Sequence, residues 1–209
     1  MKKMVERRSI MTEEQKAISG ELFSPIHPDL VAVKRISHNL CTKYNLTYED
    51  DPERDQIIRK ILKKTGESVR MQGPIFFNYG CHTTIGEKFF ANYNFTVLDD
   101  APVTIGDHFM AGPNVTIATP MHPLVPEERL SMLDENGKPF APCYAKPIVI
   151  GNNVWVASGV VICAGVTIGD NVVIGAGSVV TKDIPSGVLA AGNPCKVIRE
   201  ITEKDSVKK

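Results

Sequence analysis

Aliphatic and small side chains recur at every sixth position through the second half of this chain, and this period restricts the possible folds more than any other feature. One uninterrupted series consists of Ile150, Val156, Ile162, Ile168, Ile174 and Val180. An earlier series has the same period, with a two-residue slip at Asp99-Asp100, and consists of Ile85, Ala91, Val97, Ile105, Ala111 and Ile117. A period of six fits neither an α-helix nor an isolated strand. It predicts a coil with three flat sides, in which about 18 residues complete one turn and successive turns stack about 4.8 Å apart.

The glycines and the scarcity of charge favour the same fold. Of the 16 glycines in the 209 residues, 14 lie at or after Gly73, as expected for a chain that turns after every six residues. The segment 148–195 carries three charged side chains. Its walls therefore suit burial against copies of themselves, and a closed homotrimer is the natural assembly of a three-sided rod. The sequence predicts a mainly β fold, a parallel β-helix of hexapeptide repeats, over residues 73–209, which ends in a C-terminal tail.

Residues 12–72 are expected to form a helical cap on this β-helix. The segment Thr12-Glu13-Glu14-Gln15 fits a capping box that opens a short helix. Asp29 and the Asp51-Pro52 pair can cap a second and a third helix, and Gly66 can end the third. Two apolar stripes should face inward, with Leu30, Val33, Ile36, Leu40 and Tyr44 on the second helix and Ile57, Ile58, Ile61 and Leu62 on the third.

The repeat is interrupted over residues 118–147 by a proline-rich excursion, and a loop of this length inside a repeat is usually functional. His122 lies in it, five residues beyond the last in-phase aliphatic position, which places it at the rim of the β-helix. At the other end of the chain, residues 1–11 are expected to form a flexible basic arm. The remaining histidines have no comparable setting and are interpreted as surface or structural residues: His27, His38, His82 and His108.

Composition excludes several classes of function. Lysine and arginine together number 24, as do aspartate and glutamate, so the formal net charge is zero. This balance argues against a protein that binds nucleic acid by neutralising phosphates. No apolar run approaches the roughly 20 residues of a membrane-spanning helix. The five cysteines are scattered and form no CxxC motif, which predicts reduced thiols in a cytoplasmic protein rather than a zinc ribbon or a disulfide framework.

Several segments carry a more specific pattern than the period alone. They are ANYNFTVLDD (91–100), VTIGD (103–107), GPNVT (112–116), HPL (122–124), IGNNVW (150–155), GVTIGD (165–170) and IGAGSVVTKDIP (174–185). Together with the helical front, these segments resemble the galactoside and maltose O-acetyltransferases, a branch of the hexapeptide-repeat acyltransferases. The resemblance covers nearly the whole chain, from about Thr12 to Ile201. It implies a left-handed β-helix, acetyl-coenzyme A as cosubstrate, and homotrimers whose active sites lie between subunits.

The resemblance also implies roles for individual residues. Transfer of acetyl from a thioester to a hydroxyl needs a base, and His122 matches the family's catalytic histidine, with direct attack and no acyl-enzyme. Asn92 matches the asparagine that places the acceptor hydroxyl, and the backbone N–H of Ser158 matches a donor to the oxyanion. No catalytic metal is expected. Coenzyme A would lie in a groove between two β-helices and would contact positions matched by Trp155, Ser158, Ala176, Thr181 and Lys182, with further phosphate contacts from Lys196 or Arg199.

The acceptor side departs from the family pattern. Pro25 stands in place of a sugar-contacting aspartate, and Asn78 in place of a serine or aspartate. Cys143 replaces the methionine of galactoside-type relatives, and Pro120-Met121 replaces the usual pair before the histidine. The side chains expected to line the acceptor site are Asn78, Asn92, Asp100 and Cys143. The resemblance thus implies acetyl transfer to a hydroxyl of a sugar or glycoside and leaves the identity of the acceptor open.

Three alternatives share this fold. A metal hydrolyase of the γ-carbonic anhydrase type needs three zinc-binding histidines, two of them five residues apart, but Ile117 stands five residues before His122. A non-catalytic β-helix scaffold would need neither a rim histidine nor Asn92. A hexapeptide acetyltransferase for another acceptor, such as a xenobiotic or an amino acid, is the third. Serine-type enzymes pair the histidine with an aspartate, which the HPL segment does not supply, and xenobiotic enzymes usually lack this helical front.

Overall fold

The computed structural model describes residues 11–134 and 136–208, so the predicted basic arm lies outside the described residues except for Met11. The α-helices are α1 (Glu13–Ser19), α2 (Pro28–Leu46), α3 (Glu53–Ile61) and α4 (Pro126–Arg129), and a 3-10 turn spans Glu203–Asp205. The strands up to the excursion are β1 (Val69–Met71), β2 (Ile75–Phe77), β3 (Thr83–Ile85), β4 (Phe89–Ala91), β5 (Phe95–Leu98), β6 (Val103–Ile105), β7 (Met110–Ala111) and β8 (Thr116–Ala118). The excursion adds β9 (Pro120–Met121), β10 (Met132–Leu133), β11 (Pro139–Phe140) and β12 (Tyr144–Ala145). The remaining strands are β13 (Ile148–Ile150), β14 (Trp155–Val156), β15 (Val161–Ile162), β16 (Thr167–Ile168), β17 (Val173–Ile174), β18 (Val179–Val180), β19 (Val188–Ala191) and β20 (Lys196–Glu200).

Three sheets form the walls of a β-helix. The first sheet has the strand order β1-β4-β7-β14-β17-β19-β20, the second β18-β15-β8-β5-β2 and the third β16-β13-β6-β3. Outside the excursion, the strands from β1 to β18 fall in the first, second and third sheet in turn along the chain. Neighbouring strands within these sheets are parallel, apart from the antiparallel β19–β20 pair. This arrangement confirms the parallel β-helix expected from the six-residue period.

The strand register also confirms the two-residue slip. Ile85 pairs with Ile105, so this coil takes 20 residues, whereas Ile150 pairs with Ile168, so a later coil takes 18. The in-phase positions predicted from the sequence point into the prism, and all twelve have at most 2% of their surface exposed. Each large aliphatic side chain buried in this way contributes about 1.5–3 kcal/mol to folding.

Three phenylalanines fill the early coils, where the in-phase residue of the first sheet is small. A buried phenylalanine stands two residues before each of these alanines, Phe89 before Ala91 and Phe109 before Ala111. The two rings stack with their centroids 5.2 Å apart. Phe95 packs edge-on against Phe89 at 5.8 Å. Large side chains beside small ones keep the core at native density.

The helical front follows the predicted stripes with local differences. The capping box at Thr12 is present, and Gly20 ends α1 with φ of 81°. His27, not Asp29, caps α2, because Pro28 takes the first helical position and places Asp29 inside the first turn. Ile36 is 62% exposed, so its predicted inward position is wrong. Leu30 and Tyr44 are buried as predicted, and the other buried side chains of α2 are those of Ser37 and Cys41. The four aliphatic residues predicted to face inward around α3 are all buried.

The transition from helices to β-helix differs from the expected detail. Helix α3 ends at Ile61 rather than near Gly66. A Cβ at Gly66 would lie 2.6 Å from the carbonyl oxygen of Gly86, so this glycine allows one coil to stack on the next instead of ending the helix. A parallel bridge joins Lys64 to Thr84, and the first paired strand begins at Val69, which pairs with Phe89, so both precede the boundary expected at residue 73. Within the described ranges, no helix is long and apolar enough to cross a membrane.

Candidate active site

Two corners of the β-helix carry the predicted site residues. At the Asn92 corner the chain passes from the first sheet to the second, as between Ala91 of β4 and Phe95 of β5. At the His122 corner it passes from the second sheet to the third, and the whole excursion leaves and re-enters there, between β8 and β13. The two-residue slip at Asp99-Asp100 falls at this same corner. The irregularities of the repeat are therefore stacked along one edge of the prism.

Asn92 follows β4, and its position is fixed by the turn. Its N–H donates to the carbonyl of Ala111 on the next coil at 3.0 Å, and its Oδ1 accepts from the N–H of Tyr93 at 2.8 Å. The Asn92 side chain is partly exposed. With its oxygen held by the turn, the Nδ2 amide is the group free to donate to a ligand, and it has no protein acceptor among the described residues.

Ser158 and Ala176 lie on later coils of the Asn92 corner, since Ala111 pairs with Val156 and Val156 with Ile174. The nitrogen of Ser158 lies 2.7 Å from the point where a Cβ of Gly112 would be. This glycine thus leaves the Ser158 N–H open beside the turn, and that N–H donates no hydrogen bond to any described residue. Trp155 lies on the outer face of the first sheet next to this corner and is 48% exposed.

His122 lies just after β9, which pairs antiparallel with β12 of the returning excursion. Its Nδ1 lies 3.0 Å from the carbonyl oxygen of Pro142. A carbonyl only accepts, so Nδ1 carries the hydrogen and Nε2 of the neutral ring keeps a lone pair. The side chain is exposed. Pro142 could not be identified as the partner from the sequence, because the contact arises from the pairing of the two excursion strands.

Asn78 and Asp100 form a polar pair on neighbouring coils of the His122 corner. Asn78 Nδ2 donates to Asp100 Oδ2 at 2.9 Å, and Asp100 is 3% exposed. Burial raises the pKa of the Asp100 carboxyl, although the bond from Asn78 acts in the opposite direction. A carboxylate in such a site binds a hydroxyl donor strongly, since little water competes for it.

Cys143 joins the excursion to the helical front. Its N–H and C=O exchange hydrogen bonds with Phe23 at 3.0 and 2.9 Å, and its Sγ donates to the carbonyl of Met121, next to His122, at 3.3 Å. Burial raises the pKa of the Cys143 thiol to about 11, so the thiol is neutral at physiological pH. Its side chain supports the strand that presents His122.

The predicted coenzyme A residues are divided among the two corners and the edge of the first sheet. Thr181 and Lys182 follow β18 at the His122 corner and are exposed. Lys196 and Arg199 lie on β20 at the edge of the first sheet, also exposed. The Arg199 guanidinium donates to both carboxylate oxygens of Asp205, at 2.7 and 2.6 Å, which occupies the side chain.

Tyr79 is a further residue of the His122 corner that the sequence did not indicate. It is 3% exposed, and its hydroxyl is the single buried side-chain polar atom of the described residues that lacks a hydrogen-bond partner. Burial, with smaller contributions from Asp100 and Cys143, raises its pKa. The hydroxyl therefore stays protonated beside the Asn78–Asp100 pair. A tyrosine between two turn residues carries no signal that would set it apart from a core aromatic.

Comparison with known proteins agrees with this architecture. The family model for the bacterial transferase hexapeptide (six repeats) matches residues 147–182, and the maltose acetyltransferase hexapeptide capping motif matches residues 16–66. Galactoside O-acetyltransferase of Escherichia coli (strain K12) is 44% identical over 196 residues, which cover 93% of this chain and 91% of that protein.

Two solved structures match over their full length or nearly so. A maltose O-acetyltransferase from Clostridium difficile 630 has a TM-score of 0.85 at 42% identity, covering 93% of this chain and all of that one. A galactoside acetyltransferase in complex with coenzyme A has a TM-score of 0.84 at 43% identity, covering 94% of each chain. The repeat, the helical front and these relatives agree, and the chain belongs to the galactoside and maltose O-acetyltransferase family of hexapeptide-repeat acetyltransferases.

Proposed function

We propose that this acetyltransferase moves the acetyl group of acetyl-coenzyme A to a hydroxyl of a sugar or glycoside, with His122 as general base. The observation that carries the proposal is the contact between His122 Nδ1 and the Pro142 carbonyl at 3.0 Å. It orients the ring and fixes the tautomer in which Nε2 can accept a proton. The exposure of the ring at the His122 corner makes that lone pair accessible to a substrate.

The chemistry needs no covalent enzyme intermediate. The acceptor O–H gives its proton to His122 Nε2 while its oxygen attacks the thioester carbonyl carbon. The tetrahedral intermediate then collapses, the C–S bond breaks, and the imidazolium returns the proton to the coenzyme A sulfur. The unpaired N–H of Ser158 is the proposed donor to the oxyanion, and one such donor contributes about 2.7–4 kcal/mol of transition-state stabilisation. Asn92 Nδ2 is the proposed group that orients the acceptor.

A complete site requires residues from two chains in this proposal. Asn92 and Ser158 lie at one corner and His122 at another, and a wall of the prism separates them. Apolar side chains are exposed on the outer faces of the walls beside the Asn92 corner, with Trp155 at 48% and Met110 at 49% on the first sheet and Phe76 at 48% on the second. Such faces favour self-association. A homotrimer that packs the Asn92 corner of one chain against the His122 corner of the next would complete each site.

The acceptor class follows from the polar pair at the His122 corner. Asp100 can accept a hydrogen bond from a hydroxyl, and Asn78 and the Tyr79 hydroxyl offer further polar contacts. This lining suits a ligand with several hydroxyls, as a sugar or glycoside has. The side chain of Pro25 supplies no such contact. All five cysteines are free, which suits a reducing compartment and supports the proposed cytoplasmic location.

The test follows release of coenzyme A with a panel of sugars, glycosides, amino acids and antibiotics. We expect acceptor-dependent release with a sugar or glycoside, and a fall in kcat of about 10²–10⁴-fold in His122→Asn with little change in the KM for acetyl-coenzyme A. His108→Asn is the matched control, because His108 is exposed at the opposite side of the coil. Release stimulated only by amino acids or antibiotics would refute the sugar acceptor. Equal rates in the two variants would refute the role of His122.

A further inference from the structure

Three potential metal ligands from distant parts of the sequence meet beneath helix α1. They are the carboxylate of Glu14 in α1 and the side chains of the neighbouring residues Cys81 and His82, between β2 and β3. The ligand atoms all lie within 4.8 Å of one another. Glu14 precedes His82 by 68 positions, so only the packing of α1 on the β-helix creates the cluster.

The imidazole of His82 is held in an orientation suited to a ligand. Its Nδ1 lies 2.7 Å from the carbonyl oxygen of Asp99, which can only accept, so Nδ1 carries a hydrogen. Its Nε2 faces Glu14, 3.0 Å from Oε1. The ring stacks on Tyr79 at 5.0 Å between centroids and is 5% exposed. An N–H donated to a backbone carbonyl is a common way in which proteins orient a histidine toward a metal.

The residue that orients His82 is itself fixed. The Asp99 carboxylate accepts from the Thr83 hydroxyl at 2.9 Å and from the Tyr79 N–H at 2.8 Å. Asp99 is fully buried. A support with two hydrogen bonds of its own holds the imidazole in place before any ion binds, which reduces the entropy lost on binding.

The donor set indicates the kind of ion. A thiolate, an imidazole and a carboxylate together suit Zn²⁺, whereas Mg²⁺ and Ca²⁺ prefer oxygen alone. In a tetrahedral zinc site, nitrogen and oxygen ligands lie about 3.3 Å apart, close to the 3.0 Å between His82 Nε2 and Glu14 Oε1. Cys81 is partly exposed and Glu14 is 48% exposed, so water can reach the fourth position.

We propose that Glu14, Cys81 and His82 bind one Zn²⁺ per chain and that this ion ties α1 to the β-helix. None of the three is among the proposed catalytic residues, so the ion has a structural role. This role goes beyond acetyl transfer, and it differs from the interpretation of His82 from the sequence as a surface or structural residue.

The test uses the full chain after treatment with a chelator, titrated with Zn²⁺ or with Co²⁺ as a spectroscopic probe. We expect one equivalent of Zn²⁺ to bind and Co²⁺ to produce a near-ultraviolet thiolate-to-metal band together with tetrahedral d–d bands. Cys81→Ser should abolish the thiolate band, and Cys163→Ser, which changes another partly exposed cysteine, should retain it. Glu14→Gln should weaken Zn²⁺ binding at least tenfold and should remove most of the rise in melting temperature that Zn²⁺ causes in the wild type.

Glu14 lies on the surface of α1, so its variant decides the question even where His82→Asn does not fold. The proposal is overturned if the chelator-treated wild type binds no stoichiometric Zn²⁺, if Cys81→Ser keeps the thiolate band, or if Glu14→Gln and the wild type bind Zn²⁺ equally. Metal affinity is measured by titration without substrate, so these outcomes are independent of acetyltransferase activity.

Discussion

Asn92 and His122 lie at two different corners of one β-helix, with the strands of the second sheet between them. Asn92 follows β4 of the first sheet, and His122 follows the last residues of the second sheet in its coil. Two side chains proposed to act on the same acceptor hydroxyl thus face different edges of the prism. They can act on one hydroxyl when each site is formed by two neighbouring copies of the chain.

Co-expression of two inactive variants tests this sharing. Asn92→Ala and His122→Asn should each be nearly inactive alone, whereas purified mixed trimers should regain about a third of the wild-type activity, since one of the three sites in each then combines an intact Asn92 with an intact His122 from its neighbour. Differently tagged chains allow the mixed oligomers to be purified before the assay. A double variant mixed with wild type is the control for dilution. No recovery in purified mixed oligomers would contradict a site formed by two chains.

Replacement of Gly112 should damage both stacking and catalysis. A Cβ at Gly112 would lie 2.7 Å from the nitrogen of Ser158, so Gly112→Ala must push this turn outward and displace the proposed oxyanion donor. We expect a loss of about 1–3 kcal/mol in the free energy of unfolding and a clear fall in kcat. Gly106→Ala is the matched control, because its Cβ would meet the carbonyl carbon of Gly151 at 2.8 Å, away from the two site corners. If both variants lose stability and activity to the same extent, the proposed role of the Ser158 N–H as oxyanion donor is contradicted.

Removal of the Asp100 charge should stabilise the fold at neutral pH. Burial raises the pKa of Asp100 in the folded state above its unfolded value. Such a carboxyl stabilises the fold while it is protonated and loses that contribution as the pH rises through the folded pKa. Asp100→Asn should therefore raise the melting temperature by about 2 °C at pH 7, with a smaller difference near pH 4, and should raise the KM for the acceptor.

Thermal melts across pH measure this effect, with Asp29→Asn as the control, because the Asp29 side chain is 86% exposed. A difference in melting temperature that does not depend on pH would contradict the assignment of the cost to the buried charge. An unchanged KM for the acceptor would show that Asp100 does not bind the acceptor.

Replacement of Tyr44 should show how much one hydrogen bond contributes to the packing of α2 on the first coil. Its hydroxyl donates to the carbonyl of Met71 in β1 at 2.6 Å, and its ring lies 4.2 Å from the guanidinium carbon of Arg54. Tyr44→Phe keeps the ring and removes the hydrogen bond, so we expect a loss of about 1 kcal/mol with unchanged kcat. Tyr48→Phe is the control, since Tyr48 is 83% exposed. Chemical denaturation checks both variants, and equal stabilities would mean that the Tyr44 hydroxyl contributes nothing.

The period of six was enough to predict the walls of the prism. The position of a residue within the period decides whether its side chain faces the core or the solvent. Residues such as Ile150 and Val156 are therefore buried wherever such a coil forms. The slip at Asp99-Asp100 was visible for the same reason, because it shifts the phase of the series. Capping chemistry was local too, and the box at Thr12 formed as expected. The inward position predicted for Ile36 was wrong, because an apolar stripe on α2 does not indicate which part of the helix the β-helix covers.

The tertiary structure decided which chemical groups meet. His122 was a candidate from its position alone, but its tautomer depends on Pro142, which reaches it only when the excursion folds back on itself. The separation of Asn92 from His122 depends on how the coil divides its residues among three walls. The convergence of Glu14 with Cys81 and His82 depends on how α1 packs. Period and capping report on neighbours along the chain, whereas a site is made of neighbours in space, and only the packed fold supplies those.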